Sequence, residues 1–225
     1  MSNSEIRAKA RQDLGGNIFS NNWMIALVVC LLVNILSSVC GSVVPLLGAL
    51  LIDGPLMVGM AGYFLALSRK EPTAKIEKIF DGFNDFGSNF LLGLMMFLFT
   101  FLWMLLLIVP GIVKAYAYSM AFYIKRDHPT YNWKECLDES QRLMQGHKGD
   151  LFCLHLSFIG WALLCCLASF LTCGVGLICF LWLSPYVEAA NANFYDSLVV
   201  APAAPAAPVT DAPSDGPENT FESAE

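Results

Sequence analysis

Between Trp23 and Leu67 the chain carries a single formal charge, Asp53, and between Leu151 and Tyr195 again a single one, Glu188. A hydrocarbon core of about 30 Å asks a helix for about 20 consecutive apolar residues. Inside such a core every peptide N–H and C=O must find its partner within the chain, which leaves helices or a closed barrel. Each charge-poor stretch is long enough for two helices, so these stretches point to a polytopic helical membrane protein. A third apolar stretch, FLWMLLLIVPGIVKAYAYSMAFYIKRD (residues 101–127), interrupts itself with Pro110-Gly111 and Lys114. Composition agrees with the membrane reading: 56% of the 225 residues are hydrophobic and only 14% charged, against about 25% in soluble domains.

Glycine and proline divide the apolar runs into six predicted spans, at about 23–41, 44–67, 88–109, 111–125, 151–172 and 175–196. The breaks within pairs (VCGSVVP, IVPGIV, LTCGVGL) are short and read as tight turns of helical hairpins. In this reading Pro110-Gly111 is the outer turn of the middle hairpin, and Lys114 opens the fourth span, where its stem can snorkel. That span is short, about 21 Å from Ile112 to Lys125 at 1.5 Å per residue. Residues 1–22 are polar, with no apolar core or cleavage site of a signal peptide, so the first span is expected to stay as an anchor. Seven of the eight cysteines (all but Cys136) lie in or beside apolar runs without metal-ligand spacing, where Cys acts as a small hydrophobe.

Basic residues fix the expected orientation. Arg7, Lys9 and Arg11 precede the first span; Arg69, Lys70, Lys75 and Lys78 lie between the second and third; Lys125, Arg126, Lys134, Arg142 and Lys148 lie between the fourth and fifth. Twelve of the thirteen thus fall on one side of a six-span chain, which the positive-inside rule makes cytoplasmic. Both termini are then inside and the three tight turns outside. An amphipathic stretch precedes each hairpin: EIRAKARQDL with Ile6, Ala10 and Leu14; KIEKIFDGF with Ile76, Ile79, Phe80 and Phe83; NWKECLDESQRLM with Trp133, Cys136, Leu137, Ser140, Leu143 and Met144. Such segments are expected in the headgroup plane. The second helices also end alike, in GMAGYFLAL, SMAFYIK and ANANFYDSL. The expected fold is therefore all-α: six transmembrane helices in three pseudo-repeated hairpins, with cytoplasmic interfacial helices. Residues 1–22 form an amphipathic cytoplasmic segment, 23–198 the membrane domain, and 199–225 a Pro/Ala-rich acidic tail too poor in apolar residues to bury a core.

Four ionisable side chains fall at membrane depth: Asp53 in LLIDGPLMVGMAG, Lys114, His155, and Glu188 in LSPYVEAANANFY. A charge there costs roughly 3 kcal/mol on insertion scales and normally has a partner. The expected pairs are Asp53 with Lys114 towards the outside and Glu188 with His155 towards the inside. Pro55 and Pro185 break the helices beside the two carboxylates. Such pairs can line a path for an ion or small polar solute, or can lock hairpins together. Asn34, Asn191 and Asn193 serve either role, and Gly59, Gly62, Ala189 and Ala190 allow close helix packing. In GHKGD, His147 and Lys148 are candidate contacts for a phosphate headgroup.

No nucleophile–base set, HExxH, CxxC or phosphate loop occurs, so the chain reads as a non-enzyme without metal or cofactor. A net charge of −6, with the bases at the membrane surface, speaks against nucleic acid. Two functions remain. One is a scaffold or regulatory subunit whose protein partner docks on the cytoplasmic face; the other is a permease or channel-like protein using the intramembrane charges. The lipid bilayer is a partner in both, and a homo-oligomer is compatible with both.

The motifs IFDGFNDFGSNF, LWMLLLIVPGIVKAYAYSMAFYI, ESQRLMQGHKGDLFCLHLSFIGWALL, TCGVGL and PYVEAANANFYDSL occur in that order. Over residues 5–198 this set resembles the bacterial integral membrane family known as domain of unknown function 975. The chain differs at Phe122, where that family often has Pro, and at Gly149, where it often has an aromatic. The resemblance implies a multi-pass bacterial plasma-membrane protein and brings no activity or site residues with it. The layout is also distantly similar to the membrane domains attached to some glycerophosphodiester phosphodiesterases, which implies proximity to lipid.

Overall fold

The computed structural model describes residues 2–16, 20–43, 47–71, 74–171 and 176–200, with side chains at 40–50 and 168–180 left out of the description. Every element among the described residues is helical: α1 (Asn3–Asp13), α2 (Asn21–Val43), α3 (Leu47–Ser68), a 3-10 helix (Ile76–Phe83), α4 (Phe86–Leu106), α5 (Ile108–Tyr118), α6 (Ala121–Asp127), α7 (Trp133–Leu143), α8 (Lys148–Leu171) and α9 (Gly176–Val200). Four stretches among the described residues are long and apolar enough to cross a membrane: Asn21–Val39, Leu51–Ser68, Phe86–Leu106 and Lys148–Leu167.

α3 is the central helix. It packs against α2, the 3-10 helix, α4, α6 and α9, and from Leu56 to Ser68 every residue but Met57 is buried. Small residues make this possible. A methyl group at Gly59 would land on the Ile79 carbonyl, and one at Gly54 on the backbone of Asn89. By contrast, α8 beyond Leu156 and the tip joining α4 to α5 are apolar and largely exposed, Leu105 and Val109 to 73% each. The molecule thus has a packed polar end, where α1, α7 and the C-termini of α3, α6 and α9 meet, and a loosely packed apolar end.

The amphipathic stretches form and bury the faces their spacing indicates, but by packing on protein. Ile6, Ala10 and Leu14 of α1 are buried, as are Cys136, Leu137, Ser140 and Met144 of and beside α7. Both helices start on capping boxes, Ser2 with Glu5 and Asn132 with Glu135, which satisfy two otherwise orphaned N–H groups each. The KIEKIFDGF segment is a 3-10 helix, so its period is three. Ile76, Ile79 and Gly82 face α3, while Phe80, grouped with Ile76 and Ile79 by helical spacing, is 49% exposed. α1 lies on α9, the 3-10 helix on α3 and α7 on α6.

Three expectations about helix breaks are corrected. Pro55 and Pro185 sit inside α3 and α9, which run through them; one missing N–H removes one ladder bond, and neighbouring helices hold the rest. Pro110 and Gly111 are not the turn of the middle hairpin. The chain reverses at Leu107, whose φ of −158° and ψ of 130° are extended, and Pro110-Gly111 stand in the first turn of α5, where a proline costs no bonded donor. The predicted span 111–125 is two short helices, α5 and α6, parted at Ser119–Met120. The turn residues 44–46 and 172–175 and the acidic tail from 201 onward lie outside the described residues.

Candidate functional site

A polar cluster sits between α5, α6, α8 and α9. Glu188 and Asn191 are three residues apart on one face of α9, the spacing at which helical side chains are neighbours. His155 projects from the second turn of α8, Tyr116 from α5 and Tyr123 from α6. His155 Nε2 lies 2.9 Å from Asn191 Oδ1 and Nδ1 lies 3.3 Å from the Tyr116 hydroxyl. The Asn191 side chain also hydrogen-bonds Glu188, which accepts from the Tyr123 hydroxyl at 3.4 Å. Glu188, His155 and Asn191 are each half-buried.

One assignment of protons satisfies the whole chain. Tyr116 O–H donates to Nδ1, Nε2–H donates to Asn191 Oδ1, and the Asn191 amide and Tyr123 O–H donate to the Glu188 carboxylate. His155 and Glu188, the expected pair, form no direct bond with each other; Asn191 lies between them and bonds both. The intervening amide decides what the cluster can do. A side-chain amide donates and accepts hydrogen bonds but does not readily hand on a proton at neutral pH, and through these bonds the row ties α5, α8, α9 and α6 together as a strut.

The other expected pair is not formed. Asp53 accepts from Ser37 Oγ of α2 at 2.6 Å, which joins the two helices of the first hairpin. Lys114 donates to Gln141 Oε1 of α7 at 2.9 Å and lies 5.4 Å from the Trp103 ring and 5.9 Å from the Tyr118 ring centroids. The Gln141 amide of α7 and the two aromatic faces hold its ammonium. His147 Nδ1 sits 3.1 Å from Asp150 Oδ2 and Lys148 opens α8. Among the described residues no three His, Cys, Asp or Glu side chains gather as metal ligands.

The largest polar junction is at the polar end, and only its separate residues were apparent as sequence. Arg69, just past α3, donates to both Asp127 oxygens at 2.8 and 2.7 Å and to Asp196 at 3.1 Å. Ser68 Oγ also bonds Asp196, and the Tyr195 hydroxyl bonds Asp127 at 3.1 Å. Hydrogen bonds donated to Asp127 and the two carboxylate charges push the Arg69 pKa further up, so it stays charged. One guanidinium thereby ties the ends of α3, α6 and α9. The likeness of GMAGYFLAL, SMAFYIK and ANANFYDSL, beside or within which these residues fall, was the available signal. Nearby, buried Asp13 of α1 accepts from Asn193 Nδ2 of α9 at 2.9 Å; burial raises its pKa more than Asn193 and Lys9 lower it. Burial also raises the Cys136 thiol to about 11, which leaves it inert packing.

Comparison with known proteins places the chain in one family. The family described as Protein of unknown function (DUF975) matches over residues 1–115 and 104–201, and the chain belongs to it. No curated protein and no solved structure matches.

Proposed function

We propose that the protein is a multi-pass component of a bacterial plasma membrane that works as a scaffold or regulatory subunit. The observation that carries this reading is that the ionisable side chains of the apolar region bond to protein groups on other helices: Asp53 to Ser37, Lys114 to Gln141, His155 to Tyr116 and Asn191, Glu188 to Tyr123. Groups used in this way join helices instead of waiting for a solute. Both termini belong to the cytoplasmic face in this reading, and a partner protein docks there, on the charged faces of α1 and α7. Three units of amphipathic helix, outgoing helix and returning helix make up the fold. The order of elements and the placing of α1 on α9, the 3-10 helix on α3 and α7 on α6 support such a three-unit ring.

A permease reading has one feature in its favour, the half-buried Glu188–Asn191–His155 row, which a polar solute could approach. Native mass spectrometry of the detergent-purified chain, with Asp53→Asn and Glu188→Gln beside it, separates the two. The scaffold reading predicts that no small polar mass is carried by wild type and lost from a folded variant. A discrete mass of that kind would replace it with the permease reading.

A further inference from the structure

We propose that Lys114 seats the phosphate of an anionic phospholipid, with Trp103, Tyr118 and Gln141 forming the walls of the seat. The inference rests on the membrane reading above and adds one bound lipid to it. Lys114 is half-buried on α5. Its ammonium donates to Gln141 Oε1 of α7 at 2.9 Å and stands 5.4 Å from the ring centroid of Trp103 on α4 and 5.9 Å from that of Tyr118. An ammonium has three N–H donors and no acceptor. One is taken by Gln141, and the others are left for the ring faces and for an anion. Gln141 accepts through Oε1, and its amide nitrogen makes no hydrogen bond among the described residues. The half-buried side chain of Gln141 thus offers its own two N–H donors beside the ammonium.

The protein gives this charge no counter-ion. No ion pair among the described residues includes Lys114. Asp138, one turn before Gln141 on α7, is exposed and forms no ion pair there either. Lys125 shows what a lysine satisfied by the fold looks like: it is 4% exposed and donates to the Pro129 and Tyr131 carbonyls at 2.6 and 2.9 Å. Lys114 has one neutral amide and two ring faces. Ring faces attract a cation but leave its net charge in place, and a charge beside hydrocarbon normally has a partner.

The surroundings select the class of anion. Leu102 and Leu106, on either side of Trp103 in α4, are 58% and 69% exposed, and Ile112 and Val113, just before Lys114 in α5, are 43% and 45% exposed. A free phosphate would meet one cation and gain nothing from these side chains. A phosphate that carries acyl chains covers them as well. α7 fixes the seat from the third side: its Trp133 ring stacks on Phe99 of α4 at 6.2 Å, and its Ser140 hydroxyl donates to the Ala117 carbonyl of α5 at 2.8 Å. Trp and Tyr gather where headgroups meet acyl chains, and basic pockets between membrane helices hold acidic headgroups. One lysine acts on a phosphate as a compact point charge, so the fitting ligand carries a single negative charge, the phosphodiester of phosphatidylglycerol.

Lipid titration of the delipidated full chain in detergent, read by native mass spectrometry, tests this. Phosphatidylglycerol is compared with phosphatidylcholine of the same acyl chains. Wild type should retain phosphatidylglycerol in preference by about fivefold, the worth of one lysine beside an acidic headgroup. Lys114→Gln should lose that preference, and Lys134→Gln, on the exposed face of α7, should keep it. A preference that survives Lys114→Gln, or that falls as far in Lys134→Gln, overturns the inference. Should Lys114→Gln not fold, Asp138→Asn takes its place. Removing that negative charge one turn from Gln141 should raise the preference, and an unchanged or lower value contradicts the inference. Excess glycerol phosphate should leave the lipid in place; displacement would mean that the anion alone is bound, which overturns the lipid. Flotation with liposomes reads the membrane itself. A wild-type chain that floats and shows no preference overturns this inference alone, and one that stays in the aqueous fraction overturns the membrane reading with it.

Discussion

Asn191 is the residue on which the interior polar row depends. Replacing it with Leu leaves His155 Nε2 and one Glu188 position without their partner, and an unsatisfied buried polar group costs about 1–3 kcal/mol. Asn34 offers the matched control, because it is exposed and bonds only the Cys30 carbonyl of its own helix. Thermal melts in detergent should show Asn191→Leu clearly below wild type and Asn34→Leu close to it; equal melts would remove the strut. Asp13 predicts a pH dependence. Burial holds its folded pKa above the ordinary value of 3.8, so the folded state binds the proton more tightly than the unfolded chain does. Its contribution is most favourable below the unfolded pKa and is lost as pH rises through the raised folded value. The stability difference between wild type and Asp13→Asn should therefore move against wild type as pH rises from about 4. A difference that does not change with pH contradicts the assignment.

At the scale of elements, close backbone contact joins the 3-10 helix to α3. Gly59→Ala drives a methyl into the Ile79 carbonyl, where backbone cannot swing aside as a side chain would. Overpacking of this kind costs typically about 1–3 kcal/mol. Gly87→Ala in α4 meets nothing within 4 Å and gains up to about 1 kcal/mol from helix propensity. Melting temperatures of opposite sign are expected for the two variants, and a neutral Gly59→Ala would mean that the 3-10 helix is not seated there.

The same elements show what could be read from the chain. Helix-period spacing identified the inner faces of α1 and α7, because Ile6, Ala10, Leu14, Cys136 and Ser140 repeat at 3.6. It grouped Phe80 with Ile76 and Ile79, whereas the period of three in a 3-10 segment turns Phe80 away from α3. Pro110-Gly111 looked like the turn since both residues punctuate chains, yet Pro is equally at home in a helix's first turn, and no residue type marks the extended Leu107. The pairing of Lys114 with Gln141 and the Arg69–Asp127–Asp196 junction bring together residues 27 to 127 positions apart. Charge at membrane depth announces that a partner exists; only packing says which one.

At the scale of the whole molecule, the polar end holds the bundle together while the apolar end is loosely packed and exposed. Arg69, just past α3, bonds residues at the ends of α6 and α9 at once. Arg69→Ala leaves Asp127 and Asp196 facing each other without their cation. Since Arg69 is a third exposed, solvent screens part of the loss, and a cost on the order of 1–2 kcal/mol is expected. Arg69→Lys should recover little of it, because an ammonium cannot reproduce the two-pronged contact with Asp127. Full recovery by Lys would reduce the junction to simple charge balance. The central claim concerns the interior polar row, and proton flux into vesicles tests it most directly. Purified protein is reconstituted with a trapped pH-sensitive dye and a potassium diffusion potential is imposed. With the Asn191 amide between His155 and Glu188, flux should equal that of protein-free vesicles at every pH from 5 to 8. Flux above that level that disappears in a folded Glu188→Gln variant would contradict the account and turn the strut into a pathway.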